Sequence, residues 1–456
     1  MKAITRTGAS VGLAVSLAAM SLGPAWAGSP SWEGFYLGGD GGYGMGVASA
    51  KIPSSGAPFF GGGAFSLTNT DFVGSTGVSA GALAGYNHMI APNWLIGIEG
   101  DINWSDIRNR DTLVNNRSRD EGILQLEQTS SFSARARFGY LLAPETLLYG
   151  TAGVAWSRFA FSAVDVEPGF FFASEADPHW FAGPQFGVGI ETMFAPRWSA
   201  RLEYLETLYG AGTFTSNGTF GSLGEPLIQV RPAVGVARLG VAYHFGPDSA
   251  PIAASTPVPV KALPMPPPAP AWTGFYIGGA VAAGAANAKV DVPTAPGNSA
   301  NGAGIAGVLP TGMVGYNQRV APQWVLGIEA EAAPGISTAD FQVDWTAAVR
   351  GRAGFLLTPW TLLYGDAGFL TGGVRTTSLV SNLVTVPNVR VDALEVGGGV
   401  EAALNEHWAG RLDYQYALPG TINNIAVAAG GISMPIVVHA QIQYVRLGVV
   451  YMFDGR

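Results

Sequence analysis

Hydrophobic residues in this chain alternate with small or polar ones far more often than they form runs. Between residues 94 and 107, Ile96, Ile98 and Ile102 fall on one parity and Glu99 and Asp101 on the other. Successive side chains of a β-strand point to opposite faces, so the pattern predicts a strand with one apolar and one charged face. Eight such stretches occupy the first half, at about 32–46, 77–89, 94–107, 125–142, 146–162, 180–194, 198–213 and 230–245. The gaps between them alternate in length. Those at 90–93, 143–145 and 195–197 are short, and those at 47–76, 108–124, 163–179 and 214–229 are long.

The second half repeats the first. Trp32-Glu-Gly-Phe-Tyr-Leu-Gly returns as Trp272-Thr-Gly-Phe-Tyr-Ile-Gly, and Asn93-Trp-Leu-Ile-Gly-Ile-Glu as Gln323-Trp-Val-Leu-Gly-Ile-Glu. Thr146-Leu-Leu-Tyr-Gly returns at Thr361, and Arg238-Leu-Gly-Val-Ala-Tyr-His-Phe as Arg446-Leu-Gly-Val-Val-Tyr-Met-Phe. A period above 200 residues with conserved order is domain duplication, not a solenoid. The short gaps also return, at 320–323, 358–359 and 405–407. Between the copies, residues 247–271 include nine prolines, which predicts a stiff, extended linker.

Hydrophobic residues make up 48% of the chain and charged residues only 12%. Beyond the N-terminus, no segment has the 18 or so consecutive apolar residues of a spanning helix. Alternation with that composition fits a closed barrel in a bilayer, where every backbone group pairs and no strand edge faces lipid. The expected fold is therefore all-β: two tandem eight-stranded, antiparallel, up-and-down transmembrane β-barrels. Short turns on one side and long loops on the other place the turns in the periplasm. Trp94, Trp198, Trp324, Trp360 and Trp408 flank the short turns and predict a periplasmic aromatic girdle.

The charged parity must then face the lumen, because an Arg or Lys facing lipid at mid-bilayer costs about 2–4 kcal/mol. In the first copy it comprises Glu99, Asp101, Arg135, Arg137, Glu191, Arg201, Glu203 and Arg238. In the second it comprises Glu329, Glu331, Arg350, Arg352, Glu401, Arg411, Asp413 and Arg446. Four cations balance four carboxylates in each. Eight strands enclose an interior just wide enough for side chains, so these sets read as structural plugs rather than as catalytic acid–base clusters. For Arg137, Glu99 and Asp101 on the neighbouring strand are the first candidate partners.

The first residues change the expected location. Lys2 and Arg6 precede an apolar stretch from about Val11 to Leu22, and Ala25-Trp26-Ala27 is an A-x-A cleavage site. Residues 1–27 thus read as a secretory signal peptide. Its removal takes two basic residues and moves the net charge from −8 to −10, which argues against nucleic-acid binding. The expected segments are the signal peptide 1–27, barrel one 28–246, a periplasmic linker 247–271 and barrel two 272–456.

Chemical signals are sparse. There is no cysteine, hence no disulfide and no thiolate metal site. Gly39-Asp-Gly41-Gly-Tyr-Gly44 matches a dinucleotide-loop pattern but lies inside the first predicted strand, where no helix can follow. His88, His179, His244, His407 and His439 show no metal-ligand spacing. His179 beside Asp177 in a predicted outer loop reads as a solvated pair. Phe59-Phe60 and Phe170-Phe171-Phe172 are apolar clusters in predicted loops, packed on the rim or touching a ligand or host surface. No catalytic residue, metal or cofactor is expected.

The Trp-x-Gly-Phe-Tyr-x-Gly opening, the Trp-x-x-Gly-x-Glu and Leu-Leu-Tyr-Gly strands and the closing Arg-Leu-Gly-Val-x-Tyr-x-Phe resemble the alphaproteobacterial outer-membrane immunogenic proteins. These are small, porin-like surface-antigen barrels. The resemblance covers each copy separately. Two features depart from it: the family usually carries one barrel, and here Asp454-Gly455-Arg456 follows the last strand's Phe453. It implies an outer-membrane location, with lipid and lipopolysaccharide around the barrels, the barrel-assembly machinery as partner during biogenesis, and host or surface ligands at the loops. The expected role is structural or antigenic. The alternative is porin-like transport, through a narrow pore in each barrel or through one sixteen-stranded barrel.

Overall fold

The computed structural model describes residues 31–51, 71–108, 111–115, 120–167, 170–215, 226–246, 270–291, 299–337, 341–379, 384–429 and 432–453. The expected signal peptide, most of the linker and Phe59-Phe60 lie outside the described residues. Nearly every described residue is in a β-strand.

The first copy forms β1 (Gly34–Lys51), β2 (Asp71–Ala91), β3 (Trp94–Arg108), β4 (Asp111–Asn115), β5 (Asp120–Ala143), β6 (Thr146–Glu167), β7 (Phe170–Ala195), β8 (Trp198–Leu208), β9 (Gly212–Thr215) and β10 (Pro226–His244). β4 and β9 are short outer continuations of β3 and β8, so eight strands cross. Each pairs antiparallel with its sequence neighbour. The barrel closes where β1 meets β10, from Tyr36↔His244 to Lys51↔Gln229.

The second copy forms β11 (Gly274–Asp291), β12 (Ser299–Ala321), β13 (Trp324–Ser337), β14 (Phe341–Thr358), β15 (Thr361–Leu379), β16 (Val384–Ala403), β17 (Trp408–Ala429) and β18 (Ile432–Met452). It closes independently through β11 and β18, from Tyr276↔Met452 to Asp291↔Val437. The chain is therefore two eight-stranded barrels. Two separate closures exclude the single sixteen-stranded alternative.

Every described residue of the predicted outer loops is in a strand. Residues 163–179 are largely strand, with β6 and β7 paired out to Glu167↔Phe170. Phe170, Phe171, Phe172 and His179 are consequently strand residues. Beyond the bilayer a hairpin needs its backbone ladder but not an apolar outer face, so alternation fades before pairing does. The short turns fall where the gaps predicted: β2 hands over to β3 after Ala91, β5 to β6 after Ala143 and β7 to β8 after Ala195.

Burial alternates along each wall. On β3, Ile98 and Trp104 are well exposed, whereas Glu99, Asp101 and Asn103 are buried. The lumen is crowded enough to dictate glycine. A β-carbon on Gly85 would lie 2.3 Å from the Tyr36 ring, and one on Gly315 equally close to the Tyr276 ring.

Candidate functional site

The interior of barrel one is layered. At the turn end, Trp32 folds under the wall and donates its indole N–H to the Pro144 carbonyl at 2.9 Å. It is buried with Leu95, Leu147, Tyr149 and Met193. Trp272 repeats this in barrel two, bonding the Pro359 carbonyl at 2.9 Å over Val325, Leu356 and Leu362. Trp272 is also the one described non-glycine residue with positive φ, 54°. The sequence flagged both tryptophans as repeat markers but not as lids.

Above the lid of barrel one lies the charge layer. Arg135 pairs with Glu99, which stands directly opposite it on β3, and with Asp101 at 2.6 Å. Arg201 Nη1 reaches the other Glu99 oxygen at 2.6 Å, and the Tyr36 hydroxyl donates to the same oxygen at 2.7 Å. Arg238 meets Asp101 at 3.2 Å, and Glu203 lies 3.8 Å from Arg135. Arg137 does not meet Glu99 or Asp101. It faces Gly97 across the ladder and reaches over β6 to pair with Glu191. Its guanidinium lies 3.7 Å from the centroid of the Tyr149 ring, a cation–π arrangement. Glu191 also accepts from the Ser199 hydroxyl at 2.5 Å and lies 3.2 Å from His244 Nε2.

Barrel two rebuilds this layer with equivalent residues. The Tyr276 hydroxyl donates to Glu329 at 2.7 Å, and Arg352 pairs with Glu401 at 2.7 Å, 3.9 Å above the Tyr364 ring. Arg411 joins Glu329 to Asp413, Arg446 binds Asp413 at 2.6 Å, and Arg350 binds Glu331 at 2.8 Å. Most of these groups are almost completely buried. A buried charge needs such partners, because leaving one unpaired is costly.

The balance is not four to four. Asp40 also points inward in barrel one, 3.7 Å from Arg238. In barrel two, Glu395 binds Arg350 at 2.7 Å and Asp366 accepts from the Gln415 amide at 2.9 Å. Their counterparts in the other copy are Ala280, Gln185 and Thr151, so matching the copies against each other passed over all three. Not every strand carboxylate is inward: Asp106 on β3 and Asp392 on β16 are exposed. Glu206 lies on the outer face of β8, bonded by the Tyr204 hydroxyl at 2.5 Å.

Above the charges, barrel one is filled by an apolar cluster including Phe159, Phe161, Phe181 and Phe214. On the outside, Trp94, Trp198, Trp324 and Trp408 are exposed beside the turns, whereas Trp360 sits in its turn and packs against the lid of barrel two. Turn geometry reversed Trp360, since β15 begins one residue later, at Thr361. A second exposed aromatic set, with Trp104, Phe132, Trp180 and Trp345, rings the far end. Ten residues separate Trp104 from Trp94. At ~3.3 Å per residue and a tilt near 40°, that is about 25 Å, the height of an outer-membrane apolar band.

The chain that forms these two closed barrels matches one family model, described as an outer membrane protein β-barrel domain, twice, over residues 11–245 and 252–453. The chain belongs to the outer membrane protein β-barrel family. Among curated members, it is 28% identical to the 31 kDa outer-membrane immunogenic protein of Brucella melitensis over 207 residues, which is 40% of this chain and 84% of that protein. It is 32% identical to the 22 kDa outer membrane protein of Rhizobium leguminosarum bv. viciae over 154 residues, 33% of this chain and 65% of that protein. Solved structures with similarity include Ail, the attachment invasion locus protein of Yersinia pestis, at 15% identity, 47% of this chain, 99% of that chain and a TM-score of 0.22. Neisserial surface protein A is similar at 15% identity, 47% and 98% coverage and a TM-score of 0.25. As a β-barrel of this family, the protein resides in the outer membrane in contact with its lipid. Among the described residues no group of acidic or histidine side chains could hold a metal ion.

Proposed function

We propose that this protein is a structural, surface-displaying component of the outer membrane: two plugged barrels that carry outer hairpins to the cell exterior and conduct no solute. The observation that carries this reading is the filling of each lumen by buried arginine–carboxylate pairs above a tryptophan lid. Such pairs in an eight-stranded barrel leave the interior to side chains. Catalysis has no support in this arrangement. Most of the buried arginines and carboxylates are held in ion pairs with one another, and the exposed Thr371 hydroxyl donates at 2.6 Å to Asp392, a carboxylate that Arg390 also binds and so makes a poor base.

Residues 28–246 and 272–456 act as the two barrels in this reading, and 247–271 as a periplasmic linker. Each barrel begins and ends on its turn side, where Phe245 N–H donates to the Phe35 carbonyl and Phe453 N–H to the Phe275 carbonyl, both at 2.8 Å. Lipopolysaccharide meets the outer aromatic set, the barrel-assembly machinery inserts both barrels, and host or surface ligands meet the hairpins. The test is liposome swelling with small sugars and amino acids, beside antibody binding to intact cells. Surface binding without swelling is expected. Swelling at porin rates would overturn the plugged reading.

A further inference from the structure

Lipid-facing side chains on most of the surface are open, with Ile98 at 68% and Ile328 at 57% exposure. On one face of each barrel they are not. Ile190 and Leu412 are 1% exposed although each lies outside, one residue from an inward charge. They belong to one buried cluster with Leu202 and Val400, contributed by both barrels. The cluster is made of matching positions, Ile190 with Val400 and Leu202 with Leu412, each pair occupying the same place in the two copies. A surface that meets its own equivalent is the mark of a two-fold interface.

Two contacts locate the axis. The Thr146 hydroxyl lies 2.8 Å from that of Thr361, its counterpart in the repeat, at the turn end. At the outer end, Val73 of β2 makes a backbone bridge to Ala303 of β12, again its counterpart. A residue that touches its own equivalent sits on the axis, so the two contacts together draw a pseudo-dyad along the barrels. Strand tilt explains why the contact begins on β6 and ends on β2: a line parallel to the axis crosses several tilted strands.

We propose that the two barrels stand side by side in the outer membrane as a fixed pair, joined through this face rather than merely tethered by the linker, and that the face is a self-association surface whose partner is a second copy of the barrel. Lipid tails are as apolar as leucine, so close packing and hydrogen bonds such as Thr146–Thr361 must hold it. The linker supplies a high effective concentration, and a modest face therefore suffices.

The chain has no cysteine, so disulfide trapping has no background. Thr146→Cys with Thr361→Cys, and separately Val73→Cys with Ala303→Cys, are made in the full chain carrying a protease site at Lys261. Ile98→Cys with Ile328→Cys, on open faces, is the control. Mild oxidation in outer membranes is followed by linker cleavage and a non-reducing gel. Both test pairs should keep the halves in one band, at least tenfold more than the control. Equal or absent linkage would overturn the proposal. Thr146→Cys alone should stay as one chain because barrel two covers it. A disulfide between two chains would refute the intrachain pairing.

Discussion

Replacing Arg137 with Ala tests how tightly the interior is balanced. The change removes the cation paired with Glu191, the guanidinium 3.7 Å from the Tyr149 ring centroid and a 3.3 Å bond to the Tyr36 hydroxyl. Removing one partner of a buried pair costs about 3–5 kcal/mol. Glu191 keeps the Ser199 hydroxyl and His244, which favours the lower end, near ~3 kcal/mol. With denaturant slopes of about 1–3 kcal/mol per molar urea, the unfolding midpoint in detergent micelles should fall by roughly 1–3 M. The double change Arg137→Met with Glu191→Gln leaves no lone charge and should recover most of the loss. Tryptophan fluorescence and the unboiled gel shift both report the transition. An unchanged midpoint for Arg137→Ala would refute the view that the pair is structural, and a double variant worse than the single would refute the charge balance.

Residues 28–246 contain their own opening and closing strands and should give a heat-modifiable barrel with β-type circular dichroism in detergent when expressed without the rest. A protease site at Lys261 should resist cleavage on intact cells and be cut once the outer membrane is permeabilised, since even strand counts return both ends to the turn side. Glu33, outside the strands, accepts from the Met89 N–H at 2.7 Å and pairs with His88 at 2.8 Å. The backbone bond first, then His88, hold its carboxyl below the ordinary 4.5. A lowered acid stabilises the fold above that value and loses the contribution as pH falls through its folded pKa. Glu33→Gln should therefore be slightly weaker than wild type at neutral pH and equal to it in strong acid, measured by midpoints across pH.

Much of the fold was legible because a bilayer forces regularity. Turns at 90–93, 143–145 and 195–197 and eight alternating stretches define a barrel without knowledge of register. What escaped has identifiable reasons. Asp40 and Asp366 sit in glycine-rich stretches with little apolar alternation, and Glu395 is glutamine in the other copy, so none stood out. The partner of Arg137 depends on register, which set Arg135 rather than Arg137 opposite Glu99. Trp32 and Trp272 act through a fold of the chain under the barrel mouth, and no strand periodicity encodes that. The buried face around Ile190 and Leu412 looks like any lipid-facing stripe, because lipid and a second barrel select the same apolar residues.

Single-channel recording of the refolded full chain in a planar bilayer tests the closed lumens most directly. The paired charges and tryptophan lids predict a baseline without stepwise openings, with openings emerging in Arg137→Ala or Arg352→Ala together with lost urea resistance. Steady porin-like steps from the wild-type protein, with Arg137→Ala altering ion selectivity at unchanged stability, would show that these charges line an open pore.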